Sequence, residues 1–81
     1  MKFVNIGFSN LVNSDRVISV VAPDSAPVKR LISQCKERGA LIDATQGRKT
    51  KSVIMMDSDH LVLSYLSTDV IVSRFGECEE E

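Results

Sequence analysis

The sequence predicts one small α+β domain, built from a mostly antiparallel sheet and two helices. At 81 residues the chain has room for a single domain. Its β-branched residues concentrate in several short runs, whereas another segment repeats apolar residues at helical spacing. The connections between these elements are short, which favours antiparallel neighbours. The predicted order is therefore β-β-α-β-β-β-α, and hydrophobic residues at 43% of the chain supply one core.

Two strands are predicted before the first helix. Residues 3–6 form the first, which Gly7 ends, and residues 16–22 form the second. The residues from 8 to 15 are rich in Ser, Asn and Asp, which favour turns. Strand 16–22 is apolar on both faces, so it is expected to lie between two layers or at a subunit contact.

The first helix has clear signals at both ends. Asp24 or Ser25 is suited to cap it, and Pro27 is tolerated in its first turn. Gly39 is expected to end it in the left-handed conformation. One face carries an apolar stripe with i, i+3, i+4, i+7 spacing: Val28, Leu31, Ile32 and Cys35.

The second half of the chain alternates strands with turns and closes with a helix. Ser67 or Thr68 is predicted to cap that helix and Gly76 to end it. The acidic residues 77–81 lack apolar partners and are predicted to be a disordered tail. The predicted strands are 40–44, 51–56 and 60–66, and the predicted turns are 45–49 and 57–59.

Charge is distributed unevenly along the chain. The formal net charge is -1, but four of the eleven acids lie in the last five residues. All ten basic residues lie in 1–76, so the predicted domain itself is basic. Seven of them lie between residues 29 and 51, where Glu37 and Asp43 are the only acids. This uneven charge distribution favours a nucleic-acid partner, which the net charge of the whole chain does not indicate.

Several other classes of protein are not favoured by the sequence. No apolar stretch approaches the roughly 20 residues of a membrane span, and no signal-peptide pattern opens the chain. We therefore expect a cytoplasmic location and no membrane partner. Cys35 and Cys78 are expected to be reduced thiols, since two cysteines and one histidine make too small a ligand set for zinc. No metal, cofactor or small-molecule substrate is predicted.

The basic residues provide the candidate binding site. Residues 47–51 place Arg48, Lys49 and Lys51 beside Gly47, an arrangement suited to successive phosphates, although a solvated hairpin tip is the ordinary alternative. Arg16 opens an apolar strand and must emerge at its edge, where it either joins this cluster or pairs with Asp15 or Asp24. Lys29 and Arg30 are further candidates, although the polar face of a helix commonly carries such residues.

Two more patterns are candidate sites. Asp57, Ser58, Asp59 and His60 combine groups used in catalysis and metal binding, but the first three are also preferred turn formers. The turn interpretation is favoured, with Asp59 orienting His60. The aromatic residues do not interleave with the basic run in the sequence, which favours contact with the phosphates of duplex DNA over single-strand stacking. They are Phe3, Phe8, Tyr65 and Phe75.

Seven short segments occur in a fixed order along the chain: 5–8 (NIGF), Arg16 at the start of a strand, 23–27 (PDSAP), 38–39 (RG), 41–45 (LIDAT), 47–50 (GRKT) and 57–60 (DSDH). Taken together, these segments resemble the RemA family of bacterial extracellular-matrix regulators. The resemblance covers roughly residues 2–66, and the combination of segments is what makes it specific.

The resemblance implies a DNA-binding transcriptional regulator of biofilm matrix genes that assembles as a ring-like homo-oligomer, an octamer or a similar ring. Residues 1–76 would form the DNA-binding domain. Arg16, Arg48 and Lys49 match the family's DNA-contacting basic positions. Lys49 and Lys51 replace arginines of the family's run, and lysine keeps the charge but loses the bidentate fork. Contact with the DNA backbone is therefore expected.

Two alternatives remain open from the sequence. One is a structural or protein-interaction ring that does not bind nucleic acid. The other is an enzyme that uses Asp57, Asp59 and His60. Salt-dependent DNA binding distinguishes the first alternative from a DNA-binding regulator, and substitution of His60 by alanine tests the second.

Overall fold

Two sheets and two long helices make up the fold of the described residues. A computed structural model describes the backbone of residues 2–79 and the side chains of residues 2–76. A short 3-10 turn, Ser14–Arg16, leads into the third strand. The strands and helices are β1 (Phe3–Asn5), β2 (Leu11–Asn13), β3 (Val17–Val21), α1 (Ala26–Arg38), β4 (Leu41–Asp43), β5 (Ser52–Met56), β6 (Leu61–Ser64) and α2 (Thr68–Glu79).

The main sheet has four strands in the order β3-β5-β6-β4. β5 is antiparallel to both β3 and β6, whereas β4 is parallel to β6. The fold class α+β is confirmed, and the sheet is mostly antiparallel as predicted. The parallel pair departs from the expectation that short connections join antiparallel neighbours. It arises because the chain after β4 passes the end of β6 before entering β5, instead of turning back as a hairpin.

Residues 8–15 contain a strand where the sequence predicted only turns. β2 pairs with β1 in an antiparallel hairpin, with Val4 opposite Val12. Both valines are buried in the core, at 1% and 8% exposure. Polar residues that favour turns lie before and after β2, but the three residues of this strand are enough to pair with β1.

Helix α1 begins and ends where the sequence predicted. The hydroxyl oxygen of Ser25 accepts a hydrogen bond from the Val28 backbone N–H at 3.4 Å, so Ser25 is the cap. Gly39 takes φ = 74° after the last turn, and its N–H bonds to helix carbonyls. The stripe predicted on this helix packs through Val28, Ile32 and Cys35 against the main sheet, while Leu31 stays 37% exposed. These signals are local, which is why sequence alone located both ends.

Helix α2 departs from prediction at its C-terminal end. Ser67 caps its start, where its hydroxyl oxygen accepts a hydrogen bond from Val70 N–H at 3.3 Å. The helix then continues through Gly76 to Glu79, so the predicted end at Gly76 is wrong. Glycine lowers helix propensity by only about 1 kcal/mol, and no proline follows to stop the helix. Residues 77–79 of the predicted disordered tail are therefore helical in their backbone, and residues 80–81 lie outside the described residues.

The main sheet is covered on both faces. Helix α1 packs on one face, over Val53, Leu61 and Leu63. The β1–β2 hairpin and α2 pack on the other face, where Ile54 and Ile71 are fully buried. Strand β3 contributes to both layers, as its apolar pattern predicted, through Val17 and Val20 on one side and Val21 on the other.

Candidate nucleic-acid interface

The basic loop, residues 44–51, connects β4 to β5 across the end of β6. Both of its ends are attached to β6, because Ala44 N–H donates to the Leu63 carbonyl at 3.0 Å and Lys51 N–H to the Ser64 carbonyl at 2.9 Å. Its path therefore follows from the strand order. The loop is not the tip of a hairpin, which was the ordinary alternative from sequence, since β4 and β5 are not neighbours.

The basic loop is also braced from within. The Asp43 carboxylate accepts hydrogen bonds from the Thr45 hydroxyl at 2.6 Å and the Thr45 N–H at 2.9 Å. Thr45 itself is 2% exposed, and its carbonyl accepts from Arg48 N–H at 3.1 Å. Gly47, with φ = 84°, supplies the left-handed residue that the tight turn requires. The side chains that follow are therefore presented from a fixed backbone.

The same hydrogen bonds lower the pKa of Asp43. The Thr45 hydroxyl is the larger cause and the Thr45 backbone N–H the smaller one, while partial burial acts in the opposite direction. Both bonds favour the charged carboxylate. A depressed pKa in the folded state means that this interaction stabilises the fold above the ordinary aspartate pKa of about 3.9, and that the contribution is lost as the pH falls through the folded pKa.

Replacing Asp43 with alanine is expected to lower the free energy of unfolding by at most about 1 kcal/mol, because water competes for this exposed carboxylate. The difference from the unsubstituted protein should be present at pH 7, and it should begin to decline below about pH 4 as the pH falls through the lowered pKa of Asp43. Urea unfolding at several pH values measures it. Asp24→Ala, which removes another exposed aspartate, is the matched control, and an equal effect of both substitutions would contradict the bracing role of Asp43.

Three cations project from the basic loop. Arg48, Lys49 and Lys51 are exposed, and none of them forms a hydrogen bond or ion pair through its side chain with any residue in the described part of the chain. The Arg48 guanidinium carbon lies 5.9 Å from the ring centroids of both Phe8 and Tyr65. Aromatic and basic residues that are separate in the sequence thus meet in space, contrary to the expectation drawn from their spacing.

Lys29 and Arg30 lie near the same end of the main sheet. Val21 at the end of β3 pairs with Val53 near the start of β5, so the chain leaves β3 at the end where the basic loop enters β5. Helix α1 then starts five residues later, and both cations are exposed in its first turns. The structure therefore gathers five of the six predicted DNA-binding residues at one end of the sheet.

Arg16 lies at the opposite end. It precedes β3 and forms an ion pair with Asp57, at 3.0 Å between Nη1 and Oδ2, and both side chains are largely solvent-exposed. Exposed pairs of this kind contribute little to stability. The length of the five-residue β5, about 14 Å, separates Asp57 from the end of the sheet that carries the basic loop. Within one chain the structure does not bring Arg16 to the basic loop, and its partner is neither of the acids considered from sequence.

The segment 57–60 forms a turn, as predicted. Asp59 takes φ = 67°, and its N–H bonds to the Met56 carbonyl at 3.2 Å. The Ser58 hydroxyl lies 2.8 Å from His60 Nδ1, so Ser58 takes the orienting role predicted for Asp59. Asp57 is engaged by Arg16. The part of the chain that the structure describes contains no group of His, Cys, Asp and Glu arranged to hold a metal ion.

Comparison with known proteins places these features in a family. A family model described as "RemA-like: Extracellular matrix regulatory protein A-like" matches residues 3–75. The chain is 48% identical over 80 residues to extracellular matrix regulatory protein A of Bacillus subtilis, covering 99% of this chain and 90% of that protein. It is 53% identical over 83 residues to a protein of Dictyoglomus thermophilum, covering 100% of this chain and 98% of the other. That protein is named as a candidate regulatory protein. Among the described residues, neither helix has the length and apolar character needed to cross a membrane.

Proposed function

The chain belongs to the RemA-like family of extracellular matrix regulatory proteins, and from this premise we propose that it is a DNA-binding transcriptional regulator of matrix genes. It acts in the cytoplasm as a ring-like homo-oligomer, and its ligand is the backbone of duplex DNA. No cofactor takes part. The fold supplies the scaffold, and the repeated basic residues supply the contacts.

The observation that carries this proposal is the state of the basic loop. Its backbone is attached at both ends and braced by Asp43, yet Arg48, Lys49 and Lys51 project with no hydrogen bond or ion pair to a described residue. Unpaired cations on a braced backbone suit phosphate oxygens, because binding then requires little ordering of the loop backbone and breaks no internal ion pair. Of the other described arginines, Arg16, Arg38 and Arg74 each donate to protein oxygen atoms, whereas Arg30, another predicted DNA contact, has no such bond to a described residue.

The two edges of the main sheet support assembly into an oligomer. Ile18 on edge strand β3 is 67% exposed, and Ile42 on edge strand β4 is 50% exposed. Large apolar side chains and unpaired strand edges at opposite sides of a small domain favour contact between copies. A contact between unlike edges is head-to-tail, and such contacts close into rings when the rotation between copies allows it. Ring closure also offers a route by which Arg16 of one copy approaches the basic loop of the next.

Assembly supplies the affinity that one subunit lacks. Each copy presents only a few phosphate contacts, and repeating them on one particle raises the avidity by roughly 10²–10⁴. Lysines at positions 49 and 51 provide charge without a bidentate fork. Specificity is then expected to come mainly from the shape and bendability of the operator, as in proteins that wrap DNA.

The proposal is tested by measuring how the full chain binds a DNA duplex at several salt concentrations. Light scattering on the same samples gives the particle mass. We expect a particle several times the monomer mass, and a plot of log affinity against log salt whose slope steepens by about 0.9 for each phosphate that the protein neutralises. A folded monomer at micromolar concentration would contradict the ring. An oligomer whose duplex binding is absent even at low salt would instead indicate a structural ring.

A further inference from the structure

An aromatic pair, Phe8 and Tyr65, lies beneath the one arginine of the basic loop. The ring centroids are 4.7 Å apart and the planes are inclined by 37°. Arg48 approaches both rings at the same distance, 5.9 Å from its guanidinium carbon to each centroid. Phe8 comes from the β1–β2 turn and Tyr65 from the residue after β6, so three separate segments converge here.

The turn that carries Phe8 has an unusual backbone. Gly7, Phe8 and Ser9 all have positive φ, at 115°, 53° and 64°. Positive φ is uncommon for residues other than glycine, so this conformation requires support from its surroundings. The Asn5 side chain accepts from Gly7 N–H at 2.7 Å, and both the backbone N–H and the side-chain amide of Asn10 donate to the Gly7 carbonyl at 2.9 Å.

The Tyr65 side of the pair is anchored through Ser64. The buried Ser64 hydroxyl donates to the Ile6 carbonyl at 2.7 Å and accepts from Leu66 N–H at 3.1 Å. It therefore joins the residue before the Phe8 turn to the residues on either side of Tyr65. The backbone segments that carry the two rings are held by hydrogen bonds that do not involve Arg48, so the pair forms a platform without a ligand.

We infer that Phe8 and Tyr65 are positioning residues that hold the Arg48 guanidinium for a DNA phosphate, an inference that rests on the proposed function. A guanidinium that lies over aromatic rings, within the roughly 6 Å of a cation–π contact, can keep N–H groups available for an oxyanion. The Arg48 side chain donates to no described residue, which leaves that edge free. Lys49 and Lys51 have no such platform, so Arg48 is the ordered contact of the loop and the lysines add diffuse charge.

Tyr65→Leu tests the inference, with Tyr65→Phe as its matched control. Leucine removes the ring face, and duplex affinity should fall by about 2- to 5-fold for each subunit engaged. Phenylalanine keeps the face and should retain nearly full affinity. In an Arg48→Ala background, Tyr65→Leu should produce no further loss, because the arginine through which the ring acts is gone. Urea unfolding and particle size confirm that each variant is folded and assembled.

A second readout does not depend on DNA. Tyr65 is the single tyrosine of the chain, so 3-fluorotyrosine labelling gives one ¹⁹F resonance from this platform. Its chemical shift should differ between the unsubstituted protein and Arg48→Ala, with no DNA present. An unchanged chemical shift would overturn the inference. An equal loss of duplex affinity from Tyr65→Leu in the unsubstituted protein and in Arg48→Ala would also overturn it, because the rings would then act independently of Arg48. If the shift responds but Arg48→Ala binds DNA normally, the platform stands and the proposed site fails.

Discussion

Replacing both Arg48 and Lys49 with alanine is expected to reduce duplex binding below detection while the oligomer stays intact. Both side chains are exposed and make no hydrogen bond or ion pair with a described residue, so their removal should leave the fold unchanged. Because every subunit of a ring is altered at the same two positions, the deficit multiplies across the particle. Fluorescence anisotropy with a labelled duplex, together with light scattering, measures both quantities.

The single variants separate the two residues. Each should weaken binding to all duplex sequences about equally, and each should make the slope of log affinity against log salt shallower by about 0.9 for every phosphate that is no longer neutralised. Arg48→Ala should have the larger effect on affinity, since Arg48, unlike Lys49, lies 5.9 Å from the centroids of Phe8 and Tyr65, the rings that we infer position it. Binding measured at four or five salt concentrations distinguishes a residue that binds phosphate from one that binds a base.

Two controls make this result specific. Arg48→Lys keeps the charge and should retain most of the affinity if the interaction with DNA is Coulombic, but little if Arg48 bonds a base edge through both nitrogens. His60→Ala alters the opposite end of the sheet and should leave binding unchanged. Unchanged affinity and salt slope in the double alanine variant would contradict the assignment of the basic loop to DNA.

The elements that could be predicted from sequence are those with local causes. Helix α1 follows from the Ser25 cap, its apolar stripe and Gly39, and all of these signals lie within the helix or beside it. The strands of the second half follow from β-branched runs bounded by turn residues. The parallel pairing of β4 with β6 could not be predicted in this way, because strand order depends on which faces the helices cover.

The candidate site was likewise predictable from sequence only where its causes are local. The composition of residues 47–51 identified the basic loop, since charge and glycine are visible in the sequence. The approach of Arg48 to Phe8 and Tyr65 was not predictable from spacing, because it joins residues from three segments. The separation of Arg16 from the loop likewise depends on the antiparallel register of β3 and β5, which places them at opposite ends.

Gly7→Ala is expected to be the most destabilising of the single substitutions proposed, at about 2–6 kcal/mol. A Cβ at this position would overlap Cε1 of Tyr65 and would lie 2.9 Å from its Cδ1, and the φ of 115° strains any residue with a Cβ. Overpacking and backbone strain each cost about 1–3 kcal/mol. In a domain whose total stability is about 5–15 kcal/mol, the urea midpoint should fall sharply.

Gly39→Ala separates these two causes. Gly39 also has positive φ, at 74°, but a Cβ there would meet nothing within 4 Å. Gly39→Ala should therefore lower the free energy of unfolding only by the cost of a left-handed backbone conformation, about 1–2 kcal/mol. To relieve the clash in Gly7→Ala, the Tyr65 ring must move away from residue 7, which changes its position relative to Phe8 and Arg48, so the ¹⁹F resonance of that variant should shift as well. Equal reductions of stability in the two variants, with an unmoved resonance, would show that Tyr65 does not need the space that Gly7 leaves.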